Sequence, residues 1–404
     1  MNGKQSIQPQ RKLLFSITTL LFVLAIIFLA TTLRTPLTAV GPIIPYIREE
    51  LGISNVLAGF LTTIPLLAFA VVSPFAPRIA RIFGMELTLF YSVILLTLGI
   101  VVRSIGNTPL LIVGTILIGV AISFGNVLIP SFFKLRYPYQ VGLLMGIYTV
   151  AMNVSAGLAI GVSQPIAKNT PFGWQGALGF PISLTIITLI VWLPLIKGEK
   201  VDLSTMTNTS SKEGTKLWKS PLAWAIAATM GFQSLLFYCT VAWVPSILMA
   251  QGLSPEGAGW MTSIMQYAQI PMTFLIPIIA EKFASQRPIV LFFTFFYVVG
   301  FIGMLFEWTN LAFLWMICLG FAGGASFGLC MMLFTLRTKT AYEAAEISGF
   351  AQSVGYLLAA VGPVLFGYLF DVTNSWDVPN ILFIIVAIIL FIAGFISSKQ
   401  QYIE

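Results

Sequence analysis

The sequence contains no histidine, and only 9% of its residues are charged. It therefore lacks the side chain that most often binds metals, acts as a general base or carries protons near neutral pH. Acidic residues are few, 14 against 21 basic ones in 404 residues. None lies within the interior of an apolar run, so there is no buried carboxylate to relay protons. Cys239, Cys318 and Cys330 are odd in number, sit in apolar stretches and show no metal-ligand spacing. No Walker-type phosphate loop and no H-E-x-x-H zinc motif occur. These absences argue against an ATP-driven pump and an intramembrane hydrolase, and no cofactor is expected.

What is abundant is apolar sequence: 58% hydrophobic residues, with 33 Phe and 34 Gly. Such a chain is an all-α, polytopic membrane protein. Runs of about 20 apolar residues predict twelve helices. They fall at 18–47, 54–76, 86–104, 109–132, 141–166, 174–196, 220–250, 256–280, 288–307, 310–336, 346–370 and 378–398. The first run is too long for a cleavable signal peptide, and no small-residue cleavage site follows it.

Placing the N-terminus inside puts seventeen cations in the cytoplasm, Arg78, Arg81, Lys134, Arg136, Arg337 and Lys339 among them. It leaves three outside, Arg48, Arg103 and Lys168. The positive-inside rule thus accounts for the +7 net charge. The cations are scattered over many loops, so a nucleic-acid surface is not expected. A bacterial inner-membrane protein with both termini cytoplasmic, in contact with bilayer lipid and otherwise monomeric, is the expectation.

One polar stretch, 197–219, divides the chain into two six-helix halves, 1–196 and 220–404. The halves resemble each other. Pro45, Gly52, Ser54 and Gly59 recur as Pro245, Gly252, Ser254 and Gly259, and the register of 200 continues through Thr62/Thr262 and Pro77/Pro277. Ser123-Phe124-Gly125 matches Ser326-Phe327-Gly328, and Gly146 matches Gly349. Six spans separate the copies, giving parallel repeats related about the membrane normal.

On this topology Arg34 is the one charged residue away from the ends of a span. A lone arginine in hydrocarbon costs roughly 2.5–3.5 kcal/mol on insertion scales. The repeat aligns Arg34 with Ser234, near mid-membrane. Counted instead from Leu13, it would lie ~31 Å along the helix, near the outer surface. Three roles are open to it. It can bind an anionic or polar substrate through its planar donors, satisfy carbonyls freed by Pro36 and Gly41-Pro42, or snorkel. The other intramembrane polar groups are neutral: Asn126, Tyr148, Asn153, Gln233, Tyr238, Trp243, Gln266, Tyr267, Gln269, Gln352 and Tyr356. Each can glue helices together at ~0.6–2 kcal/mol. Together they suit the wall of a polar pocket with one positive charge. Arg34, Asn126, Tyr148, Gln233, Tyr238, Gln266, Gln269 and Gln352 form the candidate substrate site. Gly142/Gly146, Gly157/Gly161 and Gly320/Gly324/Gly328 predict close helix packing. The charged loops holding Arg78, Arg81, Lys134, Arg136, Glu343 and Glu346 are candidates for ion pairs that latch one state, or for topology determinants alone.

The run Arg34-Thr35-Pro36-Leu37-Thr38-Ala39-Val40-Gly41-Pro42 resembles the first helix of the cyanate permease family of the major facilitator superfamily, which includes nitroimidazole exporters. Ile129-Pro130-Ser131 with Lys134, Ala242-Trp243-Val244-Pro245, the Gly320-x2-Gly323-Gly324 run, and Gly355-Tyr356 with Gly362-Pro363 are similar too. Thr32 stands where the family usually has Asn, and Arg81 where the superfamily's loop carries Asp. The resemblance implies a twelve-helix transporter of a small solute, anionic or planar and polar, working by alternating access. The other readings are a broad-range drug exporter and, from a different class, a membrane solute sensor.

Overall fold

The computed structural model describes residues 17–53, 55–197 and 217–403. Residues 198–216, most of the expected linker, lie outside the described residues, as do Lys4, Arg11 and Lys12. The described residues form eleven helices long and apolar enough to cross a membrane, twelve when one bent pair counts as a single span. We number the spans α1 (Ile17–Thr38), α2 (Asn55–Val72), α3 (Met85–Arg103), α4 (Thr108–Arg136), α5 (Val141–Asn169) and α6 (Pro181–Lys197). The second half follows as α7 (Pro221–Ala250), α8 (Pro255–Lys282), α9 (Arg287–Leu305), α10 (Ala312–Leu336), α11 (Ala341–Thr373) and α12 (Asp377–Ser397).

Local chemistry starts these helices. Pro221 and Pro255 occupy first-turn positions, where a missing N–H costs nothing, behind Ser220 and Ser254, which cap by accepting from Ala223 and Gly257 N–H. Thr340 and Glu343 form a reciprocal capping box at α11. The span of α2 departs from expectation. It ends at Val72 and bends by 61° into a short helix, Ala76–Phe83, whose first residues Ala76 and Pro77 are buried with Ala80. The charged loop expected there is therefore helical.

Each packing pair of the first half has its counterpart in the second. The pairs α1·α5, α2·α4, α3·α4, α3·α6 and α1·α6 recur as α7·α11, α8·α10, α9·α10, α9·α12 and α7·α12. Between the halves, α2 packs on α11 and α8 on α5, which are again equivalent pairs. Glycines allow the closest approaches. A Cβ on Gly320 or Gly324 of α10 would lie 2.5 Å from Met265 O or 2.4 Å from Gln269 O of α8.

The two bundles meet at the end where α2, α4, α8 and α10 finish and α5 and α11 begin. This is also the end at which α6 finishes and α7 starts, so we call it the linker face. A Cβ on Gly142 or Gly146 of α5 would lie 2.6 Å from Pro277 O or 2.8 Å from Phe274 O of α8. Farther along α5, Gly157 reaches only Tyr267 at 4.0 Å, and Gly161 has nothing within 4 Å. Of the glycine pairs expected to pack closely, Gly142/Gly146 do so and Gly157/Gly161 do not. The bundles are thus clasped at the linker face and splay away from it.

Ion pairs contribute modestly to this closure. Arg81 pairs with Glu346 across the bundles, whereas Arg136 pairs with Glu86 inside the first bundle. The Arg81 side chain is 50% exposed, so the pair contributes less than about 1 kcal/mol. Arg81→Gln is expected to shift the unfolding midpoint by no more than a degree or two. A larger shift in a thermal melt would overturn that assignment.

Candidate functional site

Arg34 lies on the last turns of α1. Its threonine neighbours are satisfied within the helix: Thr31 donates to Phe28 O at 2.7 Å, Thr32 to Leu29 O at 2.8 Å and Thr35 to Thr31 O at 2.7 Å. Thr32, which replaces the family's usual Asn, is thereby fully occupied. Leu33 fills the space that Gly125 of α4 leaves open. Arg34 itself is only partly buried. Its guanidinium carbon sits 5.5 Å from the centroid of the Phe237 ring on α7. Cation–π attraction there is worth about 0.5–2 kcal/mol. Its charge also acts on the hydroxyls of Tyr148 (α5), Tyr238 (α7) and Tyr356 (α11). The site therefore draws on both bundles. Ser234, the equivalent of Arg34 in the second half, is buried one turn before Phe237 on α7.

No carboxylate pairs with Arg34 among the described residues. The buried Nε of Arg34, the hydroxyl of Tyr148 and Oε1 of Gln352 have no hydrogen-bond partner. An unpaired cation framed by aromatic faces and unused polar atoms suits a planar anion or an electron-rich polar ring.

The expected amides mostly serve other ends. Gln352 is fully buried and donates to Asn126 O at 3.0 Å and Ser348 Oγ at 2.8 Å. Gln269 donates to Gln266 on the same helix. Gln233 accepts from Ser234 at 3.2 Å. Asn153 donates to Thr273 Oγ1 at 3.3 Å, and Trp243 to Pro363 O at 2.9 Å. Tyr267, counted above in the pocket wall, is 62% exposed and approaches Gly157 of α5 where the bundles splay apart. The structure thus brings Tyr148 and Tyr238 to Arg34, together with Tyr356 of the expected pocket wall, and adds Phe237. Phe237 carries no polar signal that sequence reading could have used.

A second guanidinium was misread. Arg103, assigned above to the outer loops, is 1% exposed and donates through Nη1 to Pro36 O at 2.8 Å. Helix α1 breaks just beyond, and a 3-10 turn follows at Gly41–Ile43. The structural role considered for Arg34, steadying the carbonyls of this break, belongs to Arg103. Its Nε and Nη2 have no partner. Replacing it with methionine removes a buried charge and also strips Pro36 O of its donor. These effects oppose each other and should leave stability within about 2 kcal/mol of wild type. Transport should nonetheless fall severalfold as the end of α1 loosens. Unchanged uptake beside an unchanged melt would remove Arg103 from that role.

One string, Gly324-Ala325-Ser326-Phe327-Gly328, has the spacing of a hydrolase elbow. It lies inside α10, where Ser326 contacts Tyr297 Oη at 3.2 Å and donates to Gly323 O at 3.1 Å. An elbow needs a strand-to-helix turn, and this serine is helix packing.

Two matched helical bundles splayed around a shared cationic site define a polytopic membrane transporter. The Major Facilitator Superfamily description matches residues 20–363 and, in a second match, 239–400, and the chain belongs to that superfamily. It is 37% identical over 386 residues to the 2-nitroimidazole transporter of Escherichia coli K12, covering 95% of this chain and 97% of that one. It is 22% identical over 354 residues to the cyanate transport protein CynX of the same organism, covering 87% and 91%. The fold matches that of the proton:xylose symporter XylE with a TM-score of 0.76, 15% identity and coverage of 96% and 98%.

Proposed function

We propose that this transporter moves a small planar solute, anionic or strongly polar, by alternating access of the site at Arg34. The observation that carries the reading is the guanidinium over Phe237, with its charge acting on Tyr148, Tyr238 and Tyr356 and no carboxylate pairing it among the described residues. A cation pump or cation-drug exporter needs a buried acid at this place. The similarity to transporters of 2-nitroimidazole and cyanate supports a solute of this kind. The linker face is the cytoplasmic one by the distribution of cations, so the arrangement described is closed to the cytoplasm. Purified protein should show a raised melting temperature with 2-nitroimidazole or with cyanate or nitrate. It should then carry the stabilising compound across proteoliposome membranes. Stabilisation by lipophilic cations and by none of these compounds would replace this reading with a broad drug exporter.

A further inference from the structure

Three hydrogen bonds across the bundle interface share an origin. Ser353 of α11 donates to Ala70 O of α2 at 2.5 Å. Gln352 of α11 donates to Asn126 O of α4 at 3.0 Å. The hydroxyl of Thr149 of α5 lies 2.9 Å from Thr273 O of α8, sharing its proton with Met145 O of its own helix, also at 2.9 Å. Four residues beyond each acceptor stands a proline: Pro74, Pro130 and Pro277. A proline has no N–H to give the carbonyl four residues earlier, so Asn126 O and Thr273 O, inside α4 and α8, lack their helical donors, and Ala70 O, in the last turn of α2, finds none in Pro74. Ser73 O, in the turn that follows α2, is the atom against which Gly349 of α11 packs. Other orphaned backbone groups complete the closure. Lys134 of α4 donates to Thr335 O at 2.7 Å, at the end of α10, and Gly142 N–H at the start of α5 donates to Glu281 of α8 at 3.0 Å.

We infer that these prolines make the linker-face clasp. They expose backbone acceptors in α2, α4 and α8 that Ser353, Gln352 and Thr149 engage when the face is closed. When it opens, water entering the cleft takes over the same oxygens. The exchange is nearly balanced, because a hydrogen bond within the protein differs little from one to water. That balance suits a joint which must break and re-form in every transport cycle. A carbonyl satisfied inside its own helix would offer a weaker acceptor, and a charged pair would be costly to separate. Thr149 and Ser353 are thereby positioning residues for the transport step, while Gln352 joins the clasp through its amide nitrogen and leaves Oε1 free toward the site.

This inference rests on the alternating-access reading, and one experiment separates the two. Spin labels at Ile82 and Ala284, exposed at the linker ends of the two bundles, report the width of the face by pulsed electron–electron distance measurement in lipid nanodiscs. Wild-type protein should show a short and a long distance. Thr149→Val, Ser353→Ala and Pro277→Ala should each raise the long-to-short ratio about fivefold, the equivalent of one net hydrogen bond. Ser353→Thr, which keeps the donor, should restore it. Variants that lower the melting temperature yet leave the ratio unchanged would overturn the clasp. If Pro277→Ala fails to fold, the two hydroxyl deletions decide the matter alone. A single distance in wild type, with and without added cyanate or 2-nitroimidazole, would instead sink alternating access itself.

Discussion

Arg34→Ala is expected to reduce transport about 100-fold or more while the protein still inserts and folds. Truncating one member of a close charged contact costs about 2–5 kcal/mol, and 2.7 kcal/mol corresponds to that factor. Folding should be spared, because Arg34 forms no ion pair among the described residues. Removing a lone cation from a span also relieves an insertion cost of about 2.5–3.5 kcal/mol. Arg34→Lys keeps the charge and loses the planar fork, so a reduction of roughly tenfold is expected. Uptake of labelled anion into proteoliposomes, normalised to folded protein, measures both. Wild-type rates in the alanine variant would take the guanidinium out of the site.

Gly349→Val should be nearly as damaging, for a reason remote from substrate. A Cβ at this position would lie 2.6 Å from Ser73 O, a backbone atom that cannot rotate aside. Overpacking of this kind costs about 1–3 kcal/mol or more, and here it falls only on the state closed at the linker face. Transport should drop tenfold or more, with spin labels at Ile82 and Ala284 held at the long distance of the open linker face. Gly161→Val is the matched control, since nothing lies within 4 Å of that site, and it should transport at close to the normal rate. Equal behaviour of the two variants would mean that the bundles do not close where α2 meets α11.

Much of the architecture was legible because bilayer thickness imposes it. Runs of about 20 apolar residues foretold the spans, while the bend at Val72–Ala76 and the interruptions at Gly41–Ile43 and before Pro181 escaped. The internal repeat matched Arg34 to Ser234, its equivalent in the other half, but could not say which side chains stand against it; the ring of Phe237 on α7 does so only through the packing of the two bundles. Arg103 was misread because a cation at the end of an apolar run looks interfacial. Its partner, Pro36 O, is 67 residues away. Gln352 looked like a ligand because a buried amide must bond to something. That its partner is a carbonyl freed by Pro130, 226 residues earlier at Asn126, depends on the packing of α11 against α4.

Composition, apolar run length and the internal repeat pointed to a multi-pass helical protein built from two related halves, with one guanidinium inside the first apolar run. Those properties follow from hydrocarbon thickness and from the cost of burying charge, which act on each segment separately. Which polar side chains meet Arg34, which join the bundles and which end is closed emerged only from tertiary packing. Hydrogen bonds and ring contacts act over a few ångströms, and it is the fold that carries α5, α7 and α11 to α1.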